Sequence, residues 1–277
     1  MPPPRTGTAR NARLLAPIFV TALLAGAGGA GAQSDRQPDP PGLTPAAVAV
    51  AQDLAVERLA TRHARVFCGA GRIPAVALTF DDGPSPYTRR LLRLLRSSEA
   101  SATFFLVGDR LADWPDVAPD EARLGALGDH TWSHRRLPRL RYRAAAWEIT
   151  AGRRAIKTAD PRRVLLFRPP YGLMTRRLNR LVGRLGMLDV RWSVDSGDAR
   201  PGATVKSVVR TVEGAVRPGS IVLLHDIHPW TPVAIGRLLP WLDRHGLQPV
   251  SVPELLRLDP PTTRQLRGDH GPRCSGP

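Results

Sequence analysis

Residues 75–84 read Ala-Val-Ala-Leu-Thr-Phe-Asp-Asp-Gly-Pro, an apolar run that ends in two carboxylates and a turn. The apolar part is typical of a buried β-strand, and the Gly-Pro pair turns the chain directly after it. Asp81 and Asp82 therefore lie at a predicted strand end, where adjacent like charges are costly unless a cation or an arginine compensates them. One of the two acids could instead cap the helix that follows. We favour a functional role, because Ser85 is the better cap and capping does not use both acids.

Strand-like and helix-like segments alternate on both sides of this motif. The predicted strands cover residues 75–80, 102–107, 124–127, 164–167, 188–194, 220–225 and 247–250. The predicted helices cover residues 86–97, 109–122, 140–157, 174–186, 203–216, 231–245 and 253–257. Strict alternation favours an α/β fold with a parallel sheet, and about seven units favour its closure into a barrel. In such barrels the side chains that carry chemistry collect at the C-terminal ends of the strands.

Two histidines four residues apart follow the third predicted strand. On a helical turn His130 and His134 share one face, which suits two ligands of a single tetrahedral ion. The spacing alone is a weak signal, since paired histidines on a solvated turn are the default. Together with one carboxylate of the Asp81–Asp82 pair, they form a set of two histidines and one acid that leaves a position open for water, as catalytic zinc sites do.

Two further motifs follow predicted strand ends. Arg168 and Tyr171 lie in Arg-Pro-Pro-Tyr-Gly, where two prolines hold the backbone so that the arginine can pin a carboxylate through two hydrogen bonds. The Tyr171 amide is then available to donate to a developing oxyanion. His225 lies in Leu-Leu-His-Asp, and a histidine beside a carboxylate is a ready general acid. A rigid turn with a solvated arginine and a structural buried histidine are the alternatives. The other histidines carry no motif and are predicted to be ordinary surface residues: His63, His228, His245 and His270.

Four motifs in this order resemble those of the polysaccharide deacetylase family, which has the NodB homology domain of carbohydrate esterase family 4. The resemblance spans residues 72–258. It implies a distorted (β/α)7 barrel, similar to a TIM barrel, and an enzyme that removes N-acetyl groups from a polysaccharide. It also implies a divalent metal, most often Zn²⁺, held by Asp82, His130 and His134.

The same resemblance implies roles for the other motif residues. Asp81 matches the catalytic base, and Arg168 matches the residue that holds it. His225 matches the catalytic acid, and Asp195 best matches the acid that orients it, with Asp198 as the second choice. Two more residues match the surroundings of the acetyl group, namely Tyr171, through its amide, and Leu223, as a wall of the acetyl pocket.

Two positions depart from the family's usual pattern. Asp129 stands where an asparagine usually precedes the first histidine, and Ala199 stands where an aromatic residue usually follows the second acid of the fourth motif. Because the metal and catalytic positions are intact, we expect activity on N-acetylglucosamine residues of peptidoglycan or a chitin-like polymer. An O-acetyl esterase acting on xylan and a catalytically silent wall-binding module are the alternatives.

The first 32 residues have the pattern of a secretory signal peptide, with three arginines, an apolar stretch and a small-residue cleavage pattern at 30–32. An uncleaved N-terminal anchor is the alternative. We therefore predict a secreted or cell-wall-associated protein. The predicted organisation is a signal peptide (1–32), a linker with an N-terminal helix (33–71), the deacetylase domain (72–258) and a Pro/Arg-rich tail (259–277).

The net charge of +16 at pH 7 indicates which classes of partner the protein can bind. A secreted basic protein rarely meets nucleic acid, so we predict none as a partner and favour an anionic cell wall beside the acetylated polysaccharide substrate. The alternative is that the arginines merely solvate helix faces. The two cysteines, Cys68 and Cys274, flank the motifs, and in an oxidising compartment we expect them to form one bridge.

Overall fold

The computed structural model describes residues 44–267 and Cys274. The predicted signal peptide and the linker before Thr44 lie outside the described residues, as does most of the C-terminal tail beyond residue 267. Among the described helices, none has the length and apolar character that a bilayer crossing requires.

Within residues 44–267, nine β-strands form one sheet. The strands are β1 (Arg65–Val66), β2 (Ala75–Asp81), β3 (Ala102–Leu106), β4 (Gly125–Asp129), β5 (Leu166–Phe167), β6 (Leu188–Val190), β7 (Val194–Asp195), β8 (Ile221–His225) and β9 (Gln248–Val250). The α-helices are α1 (Pro45–Ala60), α2 (Thr88–Ser97), α3 (Val117–Leu124), α4 (Tyr142–Ala159), α5 (Arg176–Arg184), α6 (Val205–Ala215), α7 (Trp230–Arg244), α8 (Val252–Leu258) and α9 (Thr263–Leu266). Each pairing of these strands is parallel, as connection by crossover helices requires.

One continuous segment joins the two sides of the sheet. The strand order is β1-β6-β5-β4-β3-β2-β8-β7, and β9 pairs with the start of β2. β6 pairs with β5 whereas β7 pairs with β8, and only residues 191–193 separate β6 from β7 along the chain. Residues 188–195 therefore connect the β1–β6 side of the sheet to β7 at its other edge, and the sheet curls into the predicted distorted (β/α)7 barrel.

The alternation of side chains along β2 determines which of them point into the barrel. All seven residues of β2 are buried. Val76 and Phe80 pack in the apolar layer shared with α2 and α7, whereas Ala75 and Ala77 belong to a second apolar cluster with β6 and α8. Because successive side chains point to opposite faces of a strand, Asp81 shares the face of the two alanines. The first acid of the motif thus enters the barrel at the C-terminal end of its strand.

Two predicted elements differ from the observed ones. The single helix predicted over 109–122 is a 3₁₀ turn, Gly108–Ala112, followed by α3, because Pro115 cannot continue a helix and restricts the residue before it. The single strand predicted over 188–194 is divided into β6 and β7, because the segment changes partners part of the way along. At Arg191 its backbone N–H donates to the carbonyl of Val66 instead of to β5 or β8.

Residues on both sides of the motif region pack on the barrel. Thr44 caps α1, since its hydroxyl accepts a hydrogen bond from the amide of Ala47. β1 adds a strand beside β6. At the other end the buried carboxylate of Asp259 accepts hydrogen bonds from the amides of Gly71 and Arg72.

The predicted disulfide is present between Cys68 and Cys274. The two Cα atoms lie 6.0 Å apart, within the range that an unforced bridge requires. The bridge links the segment after β1 to the C-terminal tail across a sequence separation of 206 residues.

Candidate active site

The guanidinium of Arg168 is buried at the end of β5, and it holds Asp81. Its Nη1 donates to Asp81 Oδ1 at 2.7 Å and to Thr79 Oγ1 at 2.8 Å. The remaining donors point to backbone carbonyls, with Nε 3.1 Å from Val190 O and Nη2 3.0 Å from Arg191 O. The predicted contact with a carboxylate is present, but as one hydrogen bond instead of two, because the other N–H groups donate to Thr79 and to backbone carbonyls. The Asp81 carboxylate is fixed in place and its charge is balanced.

Asp82 turns away from this pair and faces two imidazoles. Its Oδ1 lies 3.1 Å from His134 Nε2 and 3.4 Å from His130 Nε2. The three residues each offer one ligand atom, and these atoms lie within 4.8 Å of one another. Among the described residues, no group makes a hydrogen bond of acceptable geometry to the buried Oδ1 of Asp82. An orphaned carboxylate oxygen facing two ring nitrogens fits a divalent cation, which would satisfy all three.

The ring of His130 is oriented by the backbone of Arg168. His130 Nδ1 lies 2.7 Å from the Arg168 carbonyl oxygen, and a carbonyl only accepts, so Nδ1 carries the proton. In the neutral ring Nε2 is then the nitrogen with the free lone pair, and it faces Asp82. Metal-binding histidines are commonly held by such a bond from the other ring nitrogen. Arg168 therefore positions groups at both acids of the first motif. Its side chain holds Asp81, and its backbone carbonyl orients His130, which faces Asp82.

Two buried acids hold the loop between the histidines. Glu148 of α4 accepts hydrogen bonds from the Ser133 amide at 2.9 Å and from the Ser133 hydroxyl at 2.7 Å. Asp129 Oδ1 accepts one from the Thr131 amide at 2.9 Å. Burial raises the pKa of Asp129 well above its ordinary value, which favours the uncharged form of this acid. No sequence signal marks Glu148, because it lies on a helix outside every motif.

Four non-glycine residues at the site have left-handed backbone conformations. The φ angles are 72° at Asp82, 74° at Thr131, 55° at His134 and 59° at Tyr171. Such conformations cost roughly 1–3 kcal/mol each and persist where the surroundings fix them. Their concentration in the three loops that follow β2, β4 and β5, at one end of the barrel, marks those loops as shaped for function.

The structure contradicts the expected contact between Asp195 and His225. Asp198 makes it instead, with Oδ1 2.8 Å from His225 Nδ1 and Oδ2 2.7 Å from the His225 amide. Thr231 Oγ1 also donates to Asp198. Asp195 is exposed and pairs with Arg200 at 3.2 Å. The reason is that Asp195 ends β7 with its side chain in solvent, whereas the turn after it brings Asp198 to the end of β8.

The Asp198 carboxylate sets the charge of His225. Burial lowers the pKa of this imidazole, but the hydrogen bond and the negative charge of Asp198 outweigh burial and raise the pKa to about 9. His225 is therefore protonated at neutral pH, as a proton donor must be. Its Nδ1 is occupied by Asp198, so Nε2 is the nitrogen available to a substrate.

His228 is not the isolated surface residue that the sequence predicts. Its ring centroid lies 6.2 Å from that of His225, and it stacks on Trp230 at 4.9 Å with an interplanar angle of 7°. Trp230 donates from Nε1 to the Asp198 carbonyl at 2.9 Å. Ala199, next to Asp198, is exposed. α7 therefore supplies an aromatic side chain close to the position where the family's usual one is missing.

The two residues expected around the acetyl group lie on separate elements of the barrel. Leu223 is buried in β8, in register with Thr79 of β2. Tyr171 is 51% exposed, and its ring centroid lies 4.7 Å from that of His134. Their roles in the acetyl pocket and the oxyanion site stay predictions.

Comparisons with known proteins identify the family. The family model for polysaccharide deacetylase matches residues 69–190. A chitooligosaccharide deacetylase of Bradyrhizobium sp. (strain ANU 289) is 35% identical over 199 residues, which are 65% of this chain and 90% of that protein. A peptidoglycan-N-acetylglucosamine deacetylase of Bacillus cereus is 36% identical over 192 residues, 66% of this chain and 88% of that protein.

A solved structure shares the fold. The crystal structure of the Bc1960 peptidoglycan N-acetylglucosamine deacetylase, in complex with a benzamide compound, superposes with a TM-score of 0.67 at 28% sequence identity. The match covers 70% of this chain and 93% of that one. The chain belongs to the polysaccharide deacetylase family, which confirms the resemblance carried by the four motifs.

Substitution of the two adjacent acids separates a metal ligand from a base. We expect Asp82→Asn to lose metal affinity, because a neutral amide is a poor partner for the cation, and excess metal should restore part of its rate. Asp81→Asn should keep the metal and lose rate by about two or more orders of magnitude, the usual value of a general base. Metal content after dialysis and rate at saturating metal, measured on both variants, check this. Metal loss from Asp81→Asn with retention in Asp82→Asn would reverse the two roles.

The partner of His225 determines the alkaline limb of the pH–rate profile. A raised pKa means that the proton-donating form is present at neutral pH and is lost as pH rises through about 9. Asp198→Asn removes the charge that raises it, so the alkaline limb should move toward the ordinary histidine value of about 6.5, with roughly tenfold or more loss of rate at alkaline pH. Asp195→Asn is the matched control and should leave the profile unchanged. An unshifted limb in Asp198→Asn would contradict the assignment.

Proposed function

We propose that this protein is a secreted, divalent-metal-dependent hydrolase that removes N-acetyl groups from N-acetylglucosamine residues of peptidoglycan or a chitin-like polysaccharide. One observation carries the proposal. The cluster of Asp82, His130 and His134 lies beside the Asp81–Arg168 pair, where the parallel strands end. A metal site next to a fixed carboxylate is the arrangement that hydrolysis of an unactivated amide needs.

The donor set favours zinc. Two imidazole nitrogens and one carboxylate oxygen are ligands that Zn²⁺ accepts in catalytic sites, where a fourth position stays open. When bound, the ion would supply a Lewis acid for the acetyl carbonyl and would lower the pKa of water. His130 and His134 present Nε2 to it, and Asp82 presents Oδ1.

The residues of the chain supply the remaining chemistry. Asp81 accepts the proton of the attacking water, and Arg168 keeps that carboxylate aimed during the transfer. The amide of Tyr171 donates to the oxyanion that develops on the acetyl group. His225 then gives its proton from Nε2 to the leaving nitrogen, which departs poorly as an anion. Asp198 stabilises the imidazolium until that transfer.

Secretion is part of the proposal. The signal-peptide pattern of residues 1–32 supports it, and so does the bridge between Cys68 and Cys274, since structural disulfides are typical of oxidising compartments. The positive net charge of the chain suits an anionic cell wall. Zn²⁺ as the resident metal and the wall as the location belong to the same proposal.

The relatives favour N-deacetylation over the alternatives. Those compared above carry the names chitooligosaccharide deacetylase and peptidoglycan-N-acetylglucosamine deacetylase, and both of these sugars bear N-acetyl groups. An O-acetyl esterase would use the same site, but it would need less from His225 because an alkoxide leaves more easily than an amide anion. The set of metal and acid–base residues described above argues against a catalytically silent module.

Acetate release from three substrates tests the proposal. We expect release from peptidoglycan or chitooligosaccharide to exceed release from acetylxylan, and a chelator to abolish it until Zn²⁺ is restored. His225→Ala should impair amide substrates more than esters, since only the amine needs the proton. Preference for acetylxylan would favour the esterase, and chelator-insensitive release would contradict the metal assignment. No release from any substrate would support a binding module.

A further inference from the structure

The segment that follows the second histidine is unusually rich in arginine. From Arg135 to the first turn of α4 the chain reads Arg-Arg-Leu-Pro-Arg-Leu-Arg-Tyr-Arg, and the start of α5 adds two more arginines. All seven of these side chains are exposed. We call them the arginine rim, and its members are Arg135, Arg136, Arg139, Arg141, Arg143, Arg176 and Arg177.

Two ring contacts connect the arginine rim to the site. The Arg136 guanidinium carbon lies 4.1 Å from the Tyr171 ring centroid, and the Tyr171 ring lies 4.7 Å from that of His134. One aromatic ring therefore separates a positive charge from a candidate metal ligand. The Arg177 guanidinium carbon lies 3.7 Å from the Tyr142 ring centroid, which joins the start of α5 to the start of α4. Both helices begin at the barrel end where the strands finish, so the rim borders the site.

The arginine rim lies in parts of the chain that are poor in acidic residues. The sequence has no Asp or Glu between Asp129 and Glu148, and none between Asp160 and Asp189. Within residues 44–267, none of the rim guanidinium groups forms an ion pair with a carboxylate. Arginines elsewhere do find acids, as Arg89 does with Asp116 at 2.6 Å. The positive charges of the arginine rim are therefore available to an anionic ligand.

We propose that the arginine rim binds anionic groups on the sugars next to the acetylated residue, so that the preferred substrate is an acidic N-acetylated glycan. The inference rests on the proposed deacetylase function and narrows its substrate class. The planar guanidinium fork matches carboxylate and phosphate oxygens, and a field of one sign beside a site raises the rate at which oppositely charged substrates arrive. A neutral glycan gains neither effect.

Matched substrates and variants test the rim. The substrates are a neutral chitooligosaccharide, an oligosaccharide of equal length with carboxylates on alternate sugars, the same compound with its carboxylates esterified, and a phosphate-substituted glycan. For wild type we expect kcat/KM on an acidic glycan to exceed that on the neutral one by about tenfold or more at low salt, and to fall as salt rises. A comparison of kcat/KM on the carboxylate-bearing and the phosphate-bearing substrates shows which of the two anionic groups the rim prefers.

Arg136→Gln with Arg139→Gln should remove that preference and its salt dependence while the neutral substrate changes less than about twofold. Arg136→Lys with Arg139→Lys keeps the charge and should retain most of the preference. Arg184→Gln with Arg244→Gln removes as many positive charges as the Arg136→Gln/Arg139→Gln pair does. These two residues end α5 and α7 at the opposite end of the barrel, so the preference for the acidic glycan should persist.

Binding measured in the inactive Asp81→Asn background keeps the test independent of turnover. The acidic glycan should bind about tenfold more tightly than the neutral one, and the Arg136→Gln/Arg139→Gln pair should abolish the difference. If no substrate releases acetate, the proposed function fails while this binding comparison still decides the rim. Equal affinity for acidic and neutral glycans would overturn the inference. Tighter binding to anionic lipid vesicles or duplex DNA than to the acidic glycan would also overturn it.

Discussion

The guanidinium of Arg168 is a full positive charge buried inside the barrel, and the site is built around it. Its side chain holds Asp81 by a hydrogen bond of 2.7 Å, and its backbone carbonyl orients His130 at the same distance. It also donates to the carbonyls of Val190 and Arg191, in the segment that connects β6 to β7. The proposed base, the candidate metal site and the connection across the sheet therefore depend on one residue.

Charge balance explains why the two acids of the first motif coexist. Asp81 is compensated by Arg168, whereas Asp82 depends on the histidines and on the cation that they would share. The backbone directs the two carboxylates to different partners. Asp81 ends β2 with its side chain inside the barrel, whereas Asp82 follows in a left-handed conformation that turns its side chain toward the histidines. Asp198 maintains a protonated His225. The side chains of Asp81 and His225 are thus held in place by Arg168 and Asp198 before any substrate binds.

The sequence predicted the parallel barrel and most of the residues of the site, because both follow from local patterns. Apolar runs ending in Asp-Asp, Arg-Pro-Pro and His-Asp show where strands finish, and a parallel barrel brings strand ends together. The preference for Asp195 over Asp198 was wrong, since only the turn between them decides which one reaches His225. Glu148 was missed because a helical acid outside a motif has no signal until packing brings it to the histidine loop. The excess of arginine was evident from the net charge, but only the contact of Arg136 with Tyr171 places the arginine rim beside the site.

Arg168 and Asp81 act as a unit, and a double-mutant cycle on the free energy of unfolding measures their coupling. Arg168→Met and Asp81→Ala, made singly, each leave one buried charge unpaired, and each should destabilise the protein by about 3–5 kcal/mol. Combined, they remove both charges, so we expect a loss well below the sum, with a coupling free energy of about 2 kcal/mol or more. Additivity of the two losses to within about 0.5 kcal/mol would contradict it.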